Sequence, residues 1–277
     1  MRAHEACLAK RSFHDQVVVI TGGAGGIGRA LARSFGSAGA KIAILDLPKS
    51  NSSKALAELT QRNITAIAAP CDITNPAEVE AAIADIRRKL GPVHVLINNA
   101  GIVHRSAFAD TDISVLRKVM EVNFFGAVTC TKICLPDLLA TKGLIIVVSS
   151  IAGLAPLYGR TGYAASKHAL HGLFETLGAE LAATGTATLM VCPSFVASGL
   201  EAATMGGDGS IINRPRSKVG NLSDPNAVAE QVLRAAQTGK RRLIMSPVGK
   251  LSAYLSRLAP SIYERMMIKN LKSELET

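Results

Sequence analysis

Apolar residues gather in short unbroken runs along the chain: Val17–Ile20, Ile42–Leu45, Ile64–Ala69, Val93–Ile97, Leu144–Val148 and Ala187–Val191. A strand buried on both faces needs apolar side chains at every position, so such runs read as parallel strands covered by helices on each side. Between them, in stretches such as Ala77–Leu90 and Ser166–Ala183, apolar residues recur every three to four positions. That is the period of a helix with one buried face. The strand–helix alternation predicts an α/β fold built on one doubly wound parallel sheet with helices on both faces.

Two stretches break the rhythm. Residues 194–221 contain MGGDGS and NRPRSKVG, too long and too rich in Gly, Ser and charge for an ordinary connection; they are expected to form a substrate lid. Beyond Ser246-Pro247, Tyr263, Met267, Leu271 and Leu275 fall four apart, and a Leu251/Leu255/Leu258 stripe precedes Pro260. This is expected to be a C-terminal helical extension, basic and amphipathic, that docks on the body, contacts a second copy or lies on a membrane surface. The chain thus divides into an N-terminal extension (1–14), an α/β domain (15–246) and a C-terminal tail (247–277).

Composition narrows the class. With 277 residues, 48% of them hydrophobic and 19% charged, one large core is within reach and nothing in the composition points to disorder. The net charge is +10, and residues 240–277 hold eight Lys/Arg against three Glu. With aromatics at 4% and no nucleic-acid motif, that charge does not point to nucleic acid. Cys7, Cys71, Cys130, Cys134 and Cys192 are odd in number and scattered, which fits neither a disulfide scaffold nor a metal site. The first sixteen residues hold no signal-like apolar core, and a cytoplasmic location, with the tail peripheral to a membrane as a further reading, is expected.

The first predicted strand runs into TGGAGGIG, Thr21 to Gly28, and then a helical segment. A glycine-rich turn at a strand-to-helix junction lets backbone N–H groups approach a pyrophosphate, and the helix N-terminus adds partial positive charge. Gly22, Gly26 and Gly28 are the spaced glycines. The second strand ends at Asp46, eighteen residues on, where a carboxylate accepts hydrogen bonds from an adenosine ribose and repels a 2′-phosphate. No basic residue sits in the loop or directly after Asp46, Lys49 being the nearest, which favours NAD over NADP.

After the fifth strand come Ser149-Ser150, and thirteen residues past Ser150 comes Tyr163, with Lys167 four further. Positions four apart share a helix face. A free tyrosine titrates near pH ~10, and an adjacent ammonium favours its phenolate. A serine at a strand's C-terminal end lies where open α/β sheets bind their ligands.

The whole order of motifs, from about residue 16 to 244, resembles the short-chain dehydrogenase/reductase family, whose Rossmann-type fold and nicotinamide chemistry it therefore implies. TGGAGGIG resembles the family's cofactor loop, with Thr21, Gly22, Gly26, Ile27 and Gly28 binding cofactor, and Asn98-Asn99-Ala100-Gly101 resembles its NNAG motif. Ser150, Tyr163 and Lys167 match the catalytic serine, tyrosine and lysine. Asp72 matches the aspartate near the adenine, and Asn123 matches the asparagine that supports a proton relay. The resemblance implies that Tyr163 exchanges the substrate proton, Ser150 bonds the substrate oxygen and Lys167 also holds the nicotinamide ribose. It also implies a homodimer or homotetramer and no metal. After the sixth strand the family has Pro-Gly before a threonine; here Ser194 follows Pro193 in place of the glycine, and Ser198 keeps the hydroxyl.

Candidate pocket residues are mostly apolar: Leu154, Leu157, Tyr158 and Phe195, with Ile102, Val103 and Leu200 beside them. They suit a hydrophobic alcohol or ketone of lipid, steroid or aryl type. Arg105 is a polar exception, and so is His104, expected to be a solvated loop residue. The expected activity is hydride transfer between NAD(H) and such a substrate. The alternatives are NADPH-dependent ketone reduction, and a dinucleotide-binding sensor or partner subunit without turnover.

Overall fold

A computed structural model describes residues 11–199, 204–212 and 222–275. In chain order its elements are β1 (Val17–Thr21), α1 (Gly26–Ser37), β2 (Lys41–Asp46), α2 (Ser52–Gln61), β3 (Ala66–Pro70), α3 (Pro76–Leu90) and β4 (Val93–Asn98). There follow α4 (Ile113–Met120), α5 (Gly126–Ala140), β5 (Leu144–Val148), α6 (Thr161–Glu180), β6 (Ala187–Cys192), α7 (Pro225–Gln237), β7 (Arg242–Ile244), α8 (Pro247–Leu258) and α9 (Pro260–Leu271). The seven strands form one parallel sheet in the order β3-β2-β1-β4-β5-β6-β7. Winding outward from β1 and then crossing back to β4 leaves a crevice at the carboxyl ends of those two strands, where this fold class binds ligands.

Alternate residues of each strand feed opposite layers. Val18 and Ile20 of β1 pack with Leu31 and Phe35 of α1 and Val232 of α7. Val17 and Val19 join Ile83 of α3, Cys130 of α5 and Phe174 of α6 on the other side. The helical stretch Ile113–Ala140 is long and apolar enough to cross a membrane by length and composition alone. It spends its apolar face on the core: Val119, Cys130, Cys134 and Leu138 are fully buried.

Phe13, assigned by sequence to the N-terminal extension, is buried edge-on against Phe35, 4.9 Å between ring centroids. The core therefore begins before residue 15. Ile64, counted into the third strand, precedes it and packs against α1 at Gly36. The described part of the expected lid is pinned: Met205 N donates to Val103 O (3.0 Å), Arg105 N to Met205 O (2.8 Å) and Asp112 N to Gly207 O (2.8 Å). Cys7 and Leu200 lie outside the described residues.

The tail forms two helices that break at Ala259-Pro260. Ser246 caps the first by accepting from Gly249 N (2.9 Å), and a proline starts each. Tyr263, Met267 and Leu271 turn toward the crevice, as does Leu255, whereas Leu258 is exposed. The last turn ends with Leu275 against Gly159 and with Glu274 buried.

Candidate active site

One cleft of about 1050 Å³ runs from the glycine loop to the tail helices. At one end Gly22 adopts φ +62°, a conformation that favours glycine, and turns the chain beneath Ala100. A Cβ on Gly26 would stand 2.3 Å from the carbonyl oxygen of Ser198, so the loop and the segment after β6 touch backbone to backbone. Thr21 does not line the cleft. It is buried, and its Oγ1 accepts from Asn99 N and Ala100 N, both at 3.0 Å. Asn99 Nδ2 donates to the carbonyl oxygens of Thr21 and Gly22 (3.0 and 3.1 Å). These bonds clip the β1 and β4 ends together and fix the loop.

Gly22, Gly26, Ile27 and Gly28 all border the cleft, as do Asn99, Ala100 and Gly101. Asp46 stands beside them: its Oδ2 accepts from Ala24 N and its Oδ1 from Leu47 N, each at 2.9 Å. Each oxygen keeps a lone pair for further donors. Arg29 and Arg33 of α1 are both committed to Glu58 (2.5 and 2.7 Å), which holds the Glu58 carboxyl below its ordinary range. Asp72 closes a turn by accepting from Thr74 N and Thr74 Oγ1 (2.9 and 2.8 Å), and it too borders the cleft. The bare glycine loop at a helix start, the free lone pairs of Asp46 and the elongated cleft fit a dinucleotide.

At the centre, Ser150, Tyr163 and Lys167 come together. Ser150 follows β5, its Oγ accepting from Ala152 N (3.1 Å), and caps a short turn before α6. Tyr163 and Lys167 are a turn apart on α6, with Lys167 Nζ 5.6 Å from the tyrosine ring centroid. Lys167 is fully enclosed and donates to Val148 O (3.0 Å). Burial lowers its pKa to about 8. Asn123 sits in a wide π-type turn, Glu121–Phe125, an insertion common at functional sites. Its Oδ1 accepts from Ile102 N (2.8 Å) and its Nδ2 donates to Ile102 O and Ser166 Oγ (both 3.0 Å). Ser166 Oγ in turn donates to Tyr163 O (2.8 Å), so Asn123 braces α6 against the β4 loop.

Pro193, Ser194, Phe195 and Ser198 close the cleft from the β6 side, tied to Ser223 through Ser223 N to Phe195 O (2.9 Å) and Ala197 N to Ser223 O (3.0 Å). Ser194 does not adopt a positive φ, so its side chain replaces the family's glycine without backbone strain.

The substrate end differs from expectation in three places. Leu157, Phe195, Ile102, Val103 and Arg105 border the cleft, but Leu154 and Tyr158 do not. Leu154 is buried behind the short turn, where its carbonyl accepts from Ser256 of α8 (3.5 Å). Tyr158 stands off the cleft wall, its carbonyl accepting from Arg160 Nη1 (3.1 Å). His104 is not solvated: it is fully buried against Gly162, and neither ring nitrogen has a partner among the described residues. Burial, with Arg160 nearby, pushes its pKa down.

Sequence reasoning missed Glu274, whose Oε2 accepts from Arg160 Nη2 and from Arg105 Nη1 (3.4 Å). It also missed Ser166, and the tail as the cleft's wall. Cys192 lies 3.7 Å from His171 Nε2, and burial holds its thiol at about 12, so it remains a neutral core group.

A dinucleotide cleft that ends on a lysine-flanked phenol is what hydride transfer to or from an alcohol requires, and the class so defined is the nicotinamide-dependent oxidoreductases. The profile of the family described as short chain dehydrogenase matches residues 16–206, and the chain belongs to the short-chain dehydrogenase/reductase family. It is 34% identical over 271 residues to dehydrogenase/reductase SDR family member 7B of Danio rerio, covering 95% of this chain and 88% of that one. It is 33% identical to meso-2,3-butanediol dehydrogenase of Serratia marcescens over 78% of this chain and 85% of that one. Among solved structures, a short-chain dehydrogenase from Streptomyces avermitilis superposes with a TM-score of 0.76 at 26% identity, covering 92% and 97% of the two chains. A variant of actinorhodin polyketide ketoreductase with NADPH gives 0.73 at 28% identity, covering 82% and 94%.

Proposed function

We propose that the protein transfers hydride between NAD(H) and a hydrophobic secondary alcohol or ketone of lipid, steroid or aryl type, with Tyr163 as acid/base. The observation that carries this reading is the convergence of Ser150, Tyr163 and Lys167 between a dinucleotide cradle and an apolar wall built from Leu157, Phe195, Met205 and the tail. Ser150 donates its hydroxyl hydrogen to the substrate oxygen. Tyr163 takes the alcohol proton as phenolate in oxidation and returns it to the carbonyl oxygen in reduction. Lys167, enclosed and close to the ring, favours the phenolate while protonated, and in this reading it also holds the nicotinamide ribose. Asn123 keeps one lone pair of Oδ1 for a proton-relay partner. The bound nicotinamide supplies the hydride acceptor or donor at its C4.

NAD is favoured because Asp46 faces the cleft as a carboxylate and the two arginines of α1 are occupied by Glu58. NADPH, held by the polyketide ketoreductase, is the competing cofactor. We further propose self-association through the α4–α5 side, where Phe108, Ile113, Phe125 and Leu139 are exposed. The four cysteines among the described residues are buried free thiols, which suits the cytoplasm.

The test is initial rates with NAD and NADP across hydrophobic secondary alcohols, with Tyr163→Phe alongside. Turnover that prefers NAD and falls about a thousandfold in the variant supports the reading; a variant as active as the parent overturns it.

A further inference from the structure

The two tail helices carry two apolar faces. Leu255, Tyr263, Met267 and Leu271 turn inward and wall the cleft. Outward, Leu251, Tyr254 and Leu258 repeat along α8 at 60%, 68% and 83% exposure, and Ile262 and Met266 fall four apart on α9. Val248 completes the set, so six of the thirteen exposed large apolar side chains among the described residues lie within 248–266. Scattered exposed apolar residues need no explanation, but a contiguous patch marks an interaction surface. The patch is also continuous with the cleft: Val248, Leu251 and Met266 are exposed and border it at once.

The charge around this patch has one sign. Between Pro247 and Leu271, Lys250, Arg257, Arg265 and Lys269 stand against Glu264 alone, a net charge of +3. None of the four cations forms a salt bridge among the described residues. A symmetric contact with a second copy sets each patch against itself and brings +3 onto +3. An apolar stripe flanked by unpaired cations complements an anionic lipid headgroup layer over an acyl phase.

We infer that the α8–α9 hairpin docks on an anionic lipid surface with the cleft mouth facing it, so that an apolar substrate passes from bilayer to Tyr163 without crossing water. The delivery step rests on the proposed hydrophobic substrate class; the docking does not.

The experiment is co-sedimentation of the full chain with vesicles of phosphatidylcholine alone or with about 30 mol % phosphatidylserine, at low salt and at about 0.5 M NaCl. Two variants are compared. Tyr254→Glu/Leu258→Glu alters the patch away from the cleft, and Lys250→Gln/Arg257→Gln/Arg265→Gln/Lys269→Gln removes its charge. The expected result is binding to anionic vesicles at least ~10-fold tighter than to neutral ones and weakened by salt. Each variant loses that preference while keeping the parent's melting temperature and its rates on a water-soluble ketone. No vesicle binding, or equal binding by parent and variants, overturns the inference. So does sedimentation equilibrium in which Leu258→Glu dissociates an oligomer that ignores vesicles, because a second copy then covers the patch. Variant-sensitive vesicle binding with no turnover of any alcohol or ketone leaves the docking standing and removes the proposed substrate class.

Discussion

Glu274 and Arg160, 114 residues apart, form an ion pair whose side chains are only 2% and 6% exposed. Arg160 directly precedes α6, the helix of Tyr163 and Lys167, so the pair fastens the end of the tail to the start of that helix. Arg105 reaches the same carboxylate from the β4 side. Removing one member of a buried charge cluster leaves the others desolvated and uncompensated.

Glu274→Gln is therefore expected to lower unfolding free energy by about 3 kcal/mol, read from denaturant midpoints. The tail walls the cleft where the proposed apolar substrate would lie, so KM for an apolar ketone should rise severalfold while KM for the dinucleotide stays unchanged. A loss of both in parallel would mean that the pair supports the whole domain rather than the wall.

Gly26→Ala tests the opposite end. The added Cβ meets the Ser198 carbonyl oxygen at 2.3 Å, backbone against backbone, so either the loop or the segment after β6 must move. Both border the dinucleotide cleft. The dissociation constant for NADH, measured by fluorescence titration, should rise at least ~10-fold, equivalent to about 1.4 kcal/mol. An unchanged constant would show that this contact does not shape the cradle.

These two sites differ in how readable they are. The glycine loop, Asp46, Ser150, Tyr163 and Lys167 are legible because local sequence fixes them: each sits at the end of an apolar run or a helical turn from its partner. The strands are legible for a related reason, since helices cover both faces and leave no polar position to blur the run. β7 is not, being a three-residue edge strand that begins with Arg242. Glu274 looks like one more solvated charge in a basic tail; only the fold brings Arg105, 169 residues away, beside it. His104 fails likewise, because its burial depends on Gly162 and on Met205 pairing beside it, both distant in sequence. The tail's helical period was visible, but periodicity names a buried face without saying what buries it.

Gly172 lies in the interior of α6, exposed, with nothing within 4 Å of a Cβ placed there. An unencumbered helical glycine carries excess backbone entropy in the unfolded chain. Gly172→Ala is expected to stabilise the protein by about 0.5–1 kcal/mol with unchanged kinetic constants. Destabilisation would place an unseen contact on that face.

Lys167 gives a pH dependence with a definite sign. Its pKa falls from 10.5 to about 8 on burial, so between those values the unfolded chain holds a proton that the folded chain has released. Stability rises with pH wherever the unfolded state binds more protons. The lysine thus costs most below pH ~8, where it is a buried ammonium, and that cost fades as pH rises toward 10.5. Lys167→Met removes the titration while keeping an unbranched side chain. The stability of the parent relative to this variant should improve by about 2 kcal/mol between about pH 7 and about pH 9.5. Urea unfolding of both proteins at the two pH values measures it, and taking the difference cancels every group they share. A difference that stays flat would mean that the ammonium is solvated in the folded protein, and the enclosure on which the role proposed for Lys167 beside Tyr163 rests would be absent.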